Sequence, residues 1–359
     1  MIANPLLGVI LHAIGGVAHG SFYAPLRKLR HWRWETGWLV QGLAAWVVTP
    51  WVVAVLAGTQ PLRVLHQSPG GSLVLAYLFG MMWGFGSLTF GLTMRYLGMS
   101  LGMAVALGYC AAFGTLIPPL VQGDFARLLT TGAGGMVLAG VAVCLLGIGF
   151  CGYAGICKER EMTAAEKSVA ISEFSLVKGF IVATFSGIMS AGFAYGIKWG
   201  QPIAAVARDL GAPDIFKNAP VFIVVMAGGF TVNCIWCLIL NWRNHSLCDY
   251  VGIPSLAGSS PDQIRSVLTA NYLLAMVAGV IWYTGFFFYG MGTTKMGPYD
   301  FSSWSIHLAF VIVFSTLCGL LAMEWKGASR RTMRWVLLAI FVLIVSTVIT
   351  GLGNALATK

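Results

Sequence analysis

An all-α polytopic membrane protein, with ten transmembrane helices in a five-plus-five inverted repeat, is the fold class this sequence predicts, and three observations lead to it. First, ten apolar stretches separated by short polar joints fill almost the whole of the 359 residues. A hydrocarbon core about 30 Å thick needs about 20 apolar residues at about 1.5 Å each, the length these stretches repeat. Second, the chain is 58% hydrophobic and only 9% charged, with a mean hydropathy of +0.80. Soluble domains carry about 25% charged residues, and no water-soluble fold hides this much apolar surface. Third, the basic side chains alternate between joints: 15 of the 22 Lys and Arg fall after the first, third, fifth, seventh and ninth stretches.

The first stretch, Pro5 to Pro25, carries Gly16 and Gly20 and runs into the densest basic segment, Arg27 to Arg33, whose neighbours Trp32 and Trp34 suit the headgroup layer. Gly37 to Ala57 is the second. The third, Ser72 to Met94, repeats the four-residue glycine spacing at Gly80 and Gly84, and the fourth, Met99 to Pro119, does so with Gly98 and Gly102. Ala133 to Tyr153 is the fifth. The sixth, Gly179 to Ile197, holds Gly192 and Gly196, with Gly200 continuing the series. Such small residues let helix backbones approach closely where lipid offers no hydrophobic drive to association. The last four are Ala219 to Asn241, Thr269 to Gly290, Ser303 to Met323 and Arg334 to Asn354.

Positive joints are retained in the cytoplasm, so the basic set faces inward and both termini face the periplasm. The Met1-Ile2-Ala3-Asn4-Pro5 start lacks the positive region and small-residue cleavage site of a secretory signal, and the first helix is expected to be retained. The net charge of +10 is scattered over membrane-flanking joints rather than gathered on one face, so it reads as orientation, with lipid and not nucleic acid as the partner. Ten spans divide into residues 1–153, a cytoplasmic joint at 154–178 and residues 179–359. Five is odd, so the second half starts on the opposite side and is inserted upside down, the arrangement of inverted repeats in secondary transporters. A faint echo supports this: Gly91 and Gly98 flank Arg95 as Gly290 and Gly297 flank Lys295.

Most of the eight cysteines lie within spans, where a free thiol behaves as a small apolar residue. The pair Cys234 and Cys237 sits mid-helix with no second pair and reads as packing, so no metal or other cofactor is expected. An intramembrane enzyme would need a nucleophile elbow or paired acidic metal ligands, and the spans offer neither.

Polar groups at membrane depth are costly and default to functional candidates. No carboxylate falls near the centre of a span: Glu35 and Glu324 sit at cytoplasmic edges and Asp300 at the periplasmic edge of the ninth. The ionisable groups nearest the middle are His12 and His19 in the first span and His307 in the ninth. An imidazole titrates near pH 6.5, so it exchanges protons at physiological pH. His12 and His307 fall at similar depths, with Asp300 about two turns farther out as a proton attractor, and these three with Glu35 are the candidate proton-coupling residues. His19 reads instead as a neutral histidine hydrogen-bonded between helices. Trp83, Tyr109, Ser190, Asn233, Trp282 and Tyr283 cluster near mid-depth. Aromatic faces suit the C–H side of a sugar and amide or hydroxyl groups its OH groups. With no charge at the midplane, an uncharged polyol fits better than a charged substrate.

These residues fall in motifs that resemble a known family. His12-Ala-Ile-Gly-Gly, Phe22-Tyr23-Ala24-Pro25, Trp34-Glu35-Thr36, the run from Gly91 to Ser100, Ser190-Ala191-Gly192, Trp282-Tyr283 with Phe287-Phe288-Tyr289, Tyr299-Asp300 with Ser303-Trp304 and His307, and Glu324-Trp325 with Arg330-Arg331 resemble the bacterial L-rhamnose/proton symporters. That family is a branch of the drug/metabolite transporter superfamily. The resemblance extends over essentially the full length and implies a ten-helix inner-membrane carrier that imports L-rhamnose with a proton, by alternating access. It adds Tyr23 and Tyr289 to the substrate-binding candidates. Departures from the family pattern lie at Ser87 to Phe90, at Gly285 where the family carries a glutamine, and at His19, which replaces a small residue. They bear on the sugar, leaving another 6-deoxy sugar, or export of drugs or metabolites on the same scaffold, as alternatives.

Overall fold

The structure, a computed structural model, describes residues 3–97, 99–123, 125–161, 176–252, 260–321 and 325–358. Gly98, Glu324 and most of the joint at 154–178 lie outside them. Among the described residues, nine helices are long and apolar enough to cross a membrane, and a tenth has a shorter apolar stretch, Val105–Val121. They are α1 (Pro5–Leu26), α2 (Trp34–Leu56), α3 (Gly70–Leu97), α4 (Met99–Val121), α5 (Gly132–Glu161), and α6 (Leu176–Ser190, continued after a break by Gly192–Trp199). The last four are α7 (Ala219–Arg243), α8 (Pro261–Thr293), α9 (Ser303–Leu321) and α10 (Arg330–Ala357). Each coincides with one predicted span, with ends that extend a few residues into the joints.

Local chemistry sets several ends. Asn4 caps α1 by accepting the Leu7 N–H at 3.0 Å, with Pro5 in the first turn where its missing N–H costs nothing. Ser260 and Ser329 cap α8 and α10 in the same way. In α2, Pro50 withdraws a donor from the helical ladder, and the chain takes a π turn over Ala44–Val48 just before it. That turn carries Trp46. The approach to α9 is a 3₁₀ segment, Gly297–Ser302, entered through Gly297 at φ +73°, a conformation that glycine alone adopts without strain.

Packing is set by small residues. On α3, Gly80 lies against the Val225 backbone of α7 and Gly84 against Val232, while Gly228 of α7 meets the Tyr77 carbonyl. Gly140 and Gly147 of α5 abut Thr350 and Leu343 of α10. The helix pairs in contact include α1 with α8 and α9, α3 with α6 and α7, α2 with α7 and α8, α4 with α5 and α6, α9 with α10, and α5 with α10. The two termini share one end of the bundle, since Gly297 neighbours both Ala3 and Thr358 and the Asn4 N–H donates to the Lys295 carbonyl at 3.0 Å. An even number of crossings requires this. The interior is dominated by aromatic rings from α2, α3, α6, α8 and α9.

Candidate functional site

Three imidazoles meet between α1, α8 and α9. His12 and His19 are seven residues, two turns, apart and so share a face of α1. His307 of α9 lies between them, with ring centroids 6.0 Å from His12 and 5.0 Å from His19. Nδ1 of His19 and Nε2 of His307 share a hydrogen bond of 2.8 Å. Each ring occupies space that a glycine leaves: His307 over Gly15, His19 over Gly285, and His12 over Gly292. All three are buried, and both nitrogens of His12, Nε2 of His19 and Nδ1 of His307 have no hydrogen-bond partner. Tyr289 of α8 stands beside the group, 5.5 Å from His12 and 5.2 Å from His307 between centroids.

On the far side of His19 begins a cage of indoles. Trp282 lies 5.3 Å from the His19 ring, and Trp46, Trp83 and Trp282 touch one another with centroids 5.5 to 5.7 Å apart. Phe286 and Phe193 close one wall at 3.9 Å. Asn233 accepts from the Trp38 indole N–H at 3.2 Å and donates to Ser87 Oγ at 3.2 Å and to the Gly229 carbonyl at 3.0 Å. Among the described residues, three polar groups carried on α2 and α8 are left over: the whole amide of Gln41, which is fully buried, the Trp46 N–H and the Tyr283 hydroxyl. Buried polar atoms are nearly always paired, so these groups are free to bond a polar ligand.

At the end of the bundle that holds the termini, a cleft of about 250 Å³ opens between α4, α6, α8 and the α9 approach. Its polar lining includes Lys198, Gln201, Lys217, Asn218, Thr293 and Asp300, and it reaches inward to Tyr289. Lys198 and Asp300 form an ion pair at 3.5 Å and Lys217 pairs with Asp214 at 3.2 Å, so the mouth is polar but charge-balanced. The cleft touches the outer side of the histidine group through Tyr289. Trp83 and Trp282 do not line it, and the indole cage is closed towards this end.

Glu35 occupies the opposite end, after α1 has crossed. Its carboxylate accepts from Asn244 Nδ2 at 2.9 Å and Ser246 Oγ at 2.8 Å. The neighbouring Asp249 accepts from the Arg33 N–H at 3.0 Å and from Thr36 Oγ1 at 3.3 Å. Together these bonds tie the start of α2 to the end of α7 and the loop beyond it. Tyr250 belongs to the same knot and is a neutral phenol, pushed up to about 12 chiefly by burial.

A family model described as L-rhamnose-proton symport protein (RhaT) matches residues 1–356. The chain is 37% identical to the L-rhamnose-proton symporter of Cronobacter sakazakii over 350 residues, 97% of this chain and 98% of the relative. It is 36% identical to that of Pectobacterium atrosepticum over 356 residues, 99% of this chain and 100% of the relative, and 36% identical to that of Yersinia pestis over 351 residues, 98% of each. The chain belongs to the L-rhamnose-proton symport protein family. That family consists of transporters, not enzymes.

For a member of this family, the sequence-derived candidates separate into groups. His12, His307 and Tyr289 come together, and Trp83, Trp282 and Asn233 join the indole cage, while the Tyr283 ring packs on Phe222 and Phe287 with its hydroxyl unpartnered. Asp300 lies at the cleft mouth and Glu35 at the other end. Three of the substrate-binding candidates stand apart from the cage. Tyr23 is 47% exposed, because α1 breaks at Phe22 and turns the ring out at the basic end. Tyr109 crosses Gly187 of α6 too closely to turn inward and lines an apolar groove with Val105, Leu145 and Phe180. Ser190 marks the break in α6 and packs on the α3 backbone at Gly86. His19 is hydrogen-bonded between helices as expected, but its partner is the candidate proton carrier itself. Gln41 and Trp46 were not anticipated. Gln41 is the only amide in the apolar run from Gly37 to Ala57, which was signal enough to find it.

Proposed function

We propose that this chain imports L-rhamnose together with a proton across the bacterial inner membrane, by alternating access between two inverted five-helix repeats. The observation that carries the substrate and the coupling ion is the family match over residues 1–356. The repeats are residues 1–153 and 179–359, joined by 154–178. Their packing supports the assignment: when every helix number advances by five, α1 with α8 and α9 becomes α6 with α3 and α4, α3 with α7 becomes α8 with α2, and α4 with α5 becomes α9 with α10, all of them observed pairs. The pairs α2 with α7 and α5 with α10 map onto themselves, as contacts on a pseudo-two-fold axis must.

In this reading the cleft at Tyr289 faces the periplasm, with both termini, and the knot around Glu35 seals the cytoplasmic side, where the basic joints lie. The sugar's site is the indole cage, occluded here. Trp83, Trp46 and Trp282 take the C–H face and the methyl group of the deoxy sugar, while Asn233, Gln41 and Tyr283 bond its hydroxyls. A proton enters past Asp300 and Tyr289 to the histidines, and rocking of the repeats then exposes sugar and proton inward. One charge moving down the membrane potential supplies about 2.3 kcal/mol per 100 mV, enough for a concentration ratio on the order of tens. The test is reconstitution in liposomes with radiolabelled L-rhamnose, with and without an imposed pH gradient. Accumulation only with the gradient is expected, and uptake indifferent to it would remove the proton from the mechanism.

A further inference from the structure

We infer that the symported proton is held by a histidine pair, His19 with His307, joined by the 2.8 Å hydrogen bond between Nδ1 of one ring and Nε2 of the other, and that the pair limits the carrier to one proton per cycle. The inference rests on the symport reading above and deepens it. Two neutral imidazoles at this distance are already satisfied, one nitrogen donating and the other accepting. One added proton goes to the outer nitrogen of the donating ring, because the outer nitrogen of the accepting ring already carries its hydrogen, and the cation it makes strengthens the shared bond, because a charge-assisted hydrogen bond is stronger than a neutral one. A second would set two imidazolium rings face to edge at 5.0 Å, with two N–H groups pointed at each other and no acceptor between them. The pair therefore holds one proton better than a second.

Its surroundings fit that role. The titratable groups around the pair are His12, 6.0 Å from His307, and the Tyr289 phenol at 5.2 Å. The other neighbours are aromatic: Phe286 4.4 Å and Trp282 5.3 Å from His19. No carboxylate stands in this shell among the described residues, so nothing neutralises the cation permanently, and the rings packed on His19 are the aromatic Trp282 and Phe286. A proton held there can leave again. His12 neighbours both His307 and the cleft-lining Tyr289 and has both nitrogens unpartnered, as an entry step of such a route would.

Gly285 makes the arrangement possible. A Cβ at this position would fall 2.5 Å from Cδ2 and 2.6 Å from Nε2 of His19, so any larger residue displaces the ring and breaks its bond to His307. Because Trp282 touches both His19 and the indole cage, the charge state of the pair is presented directly to the wall of the sugar site.

The test uses the full chain in proteoliposomes, comparing the wild type with His19→Gln and with Gly285→Ala, which keeps every histidine but displaces one. Three quantities are read: accumulation of L-rhamnose under a pH gradient, exchange of labelled for unlabelled L-rhamnose without one, and protons moved per sugar. The wild type is expected to move one proton per sugar, and both variants to exchange sugar yet reach an inside-to-outside ratio of about one, with a flattened dependence of uptake on external pH. If the wild type itself ignores the gradient, the symport reading falls and the pair with it. If the wild type accumulates sugar and the variants accumulate it equally, or if the wild type moves more than one proton, the pair alone is overturned. Folded variants that lose exchange as well as accumulation also overturn it, since His19 is then part of the sugar site. Should His19→Gln fail to fold, Gly285→Ala and the wild-type proton count still decide the matter.

Discussion

Gln41 provides a test in which stability and activity move in opposite directions. Its amide is fully buried on α2, and neither its oxygen nor its nitrogen has a partner. A buried amide left without hydrogen bonds costs about 1–3 kcal/mol on the scale of protein substitutions. Gln41→Met keeps the length and volume of the side chain and removes both polar atoms, so the sugar-free carrier should become more stable by about 1–3 kcal/mol. The sugar-bound form should suffer. Two neutral hydrogen bonds of about 1 kcal/mol each are lost and a sugar hydroxyl is left unpaired, which together weaken binding by about 2–4 kcal/mol, or about 30- to 1,000-fold at 1.4 kcal/mol per decade. The assay is thermal melting of the purified protein with and without L-rhamnose, beside uptake of the labelled sugar. The expected result is a raised melting temperature without sugar and a lost upward shift with it. A variant that melts lower than the wild type and is still stabilised by L-rhamnose refutes the reasoning, because the amide is then paired within the protein and plays no part in the sugar site.

The remaining predictions address packing and the two ends. Gly80→Ala drives a methyl into the Val225 carbonyl across the α3–α7 seam and should lower stability by about 1–3 kcal/mol, whereas Gly149→Ala on α5, with nothing within 4 Å, should leave the melting temperature in place; equal effects would mean that the seam is not close-packed. Asp300→Asn should cost at most about 1 kcal/mol of stability, since its ion pair with Lys198 is partly exposed, yet slow gradient-driven uptake several-fold while sparing sugar exchange; uptake at the wild-type rate would remove Asp300 from the proton's route. Glu35→Gln replaces a charged acceptor of the Asn244 and Ser246 bonds and should weaken the knot around it by about 1–2 kcal/mol, shifting the population towards a form open at that end, inward on the proposed orientation, about five- to thirty-fold. Reaction of single cysteines introduced along the cytoplasmic end with a water-soluble thiol reagent measures that shift, and an unchanged rate would show that the knot is not a gate.

Much of the fold was legible because the bilayer imposes one rule on every span. All ten stretches became helices, since a backbone in hydrocarbon must satisfy its own hydrogen bonds, and the joints fell where charge and proline interrupt the apolar runs. The break at Ser190 to Gly192, the π turn at Ala44–Val48 and the inward reach of the cleft were not legible, because they depend on which neighbour each helix meets. The site divides along the same line. Depth along a helix is a matter of counting residues, and it brought His12, His307, Trp83 and Trp282 into consideration; direction around the helix axis is set by packing, and it sent Tyr23 and Tyr109 elsewhere.

His19 is the informative case, for the sequence held both halves of the answer without joining them. The imidazole of His19 in α1 and the missing side chain at Gly285 of α8 look in the sequence like two unrelated features, each a loss on its own: one buries a titratable ring in an apolar helix, the other opens a hole beside an aromatic cage. In three dimensions the ring fills the hole. Each alone costs stability, since His19 against a larger residue at 285 must be displaced and Gly285 beside a small residue at 19 leaves a void where close packing is worth several kcal/mol. The two positions are therefore expected to change together, and a chain carrying one without the other should be the less stable. The double variant His19→Ala with Gly285→Gln should accordingly recover stability that Gly285→Gln alone loses, a coupling that a thermal-melting double-mutant cycle measures directly.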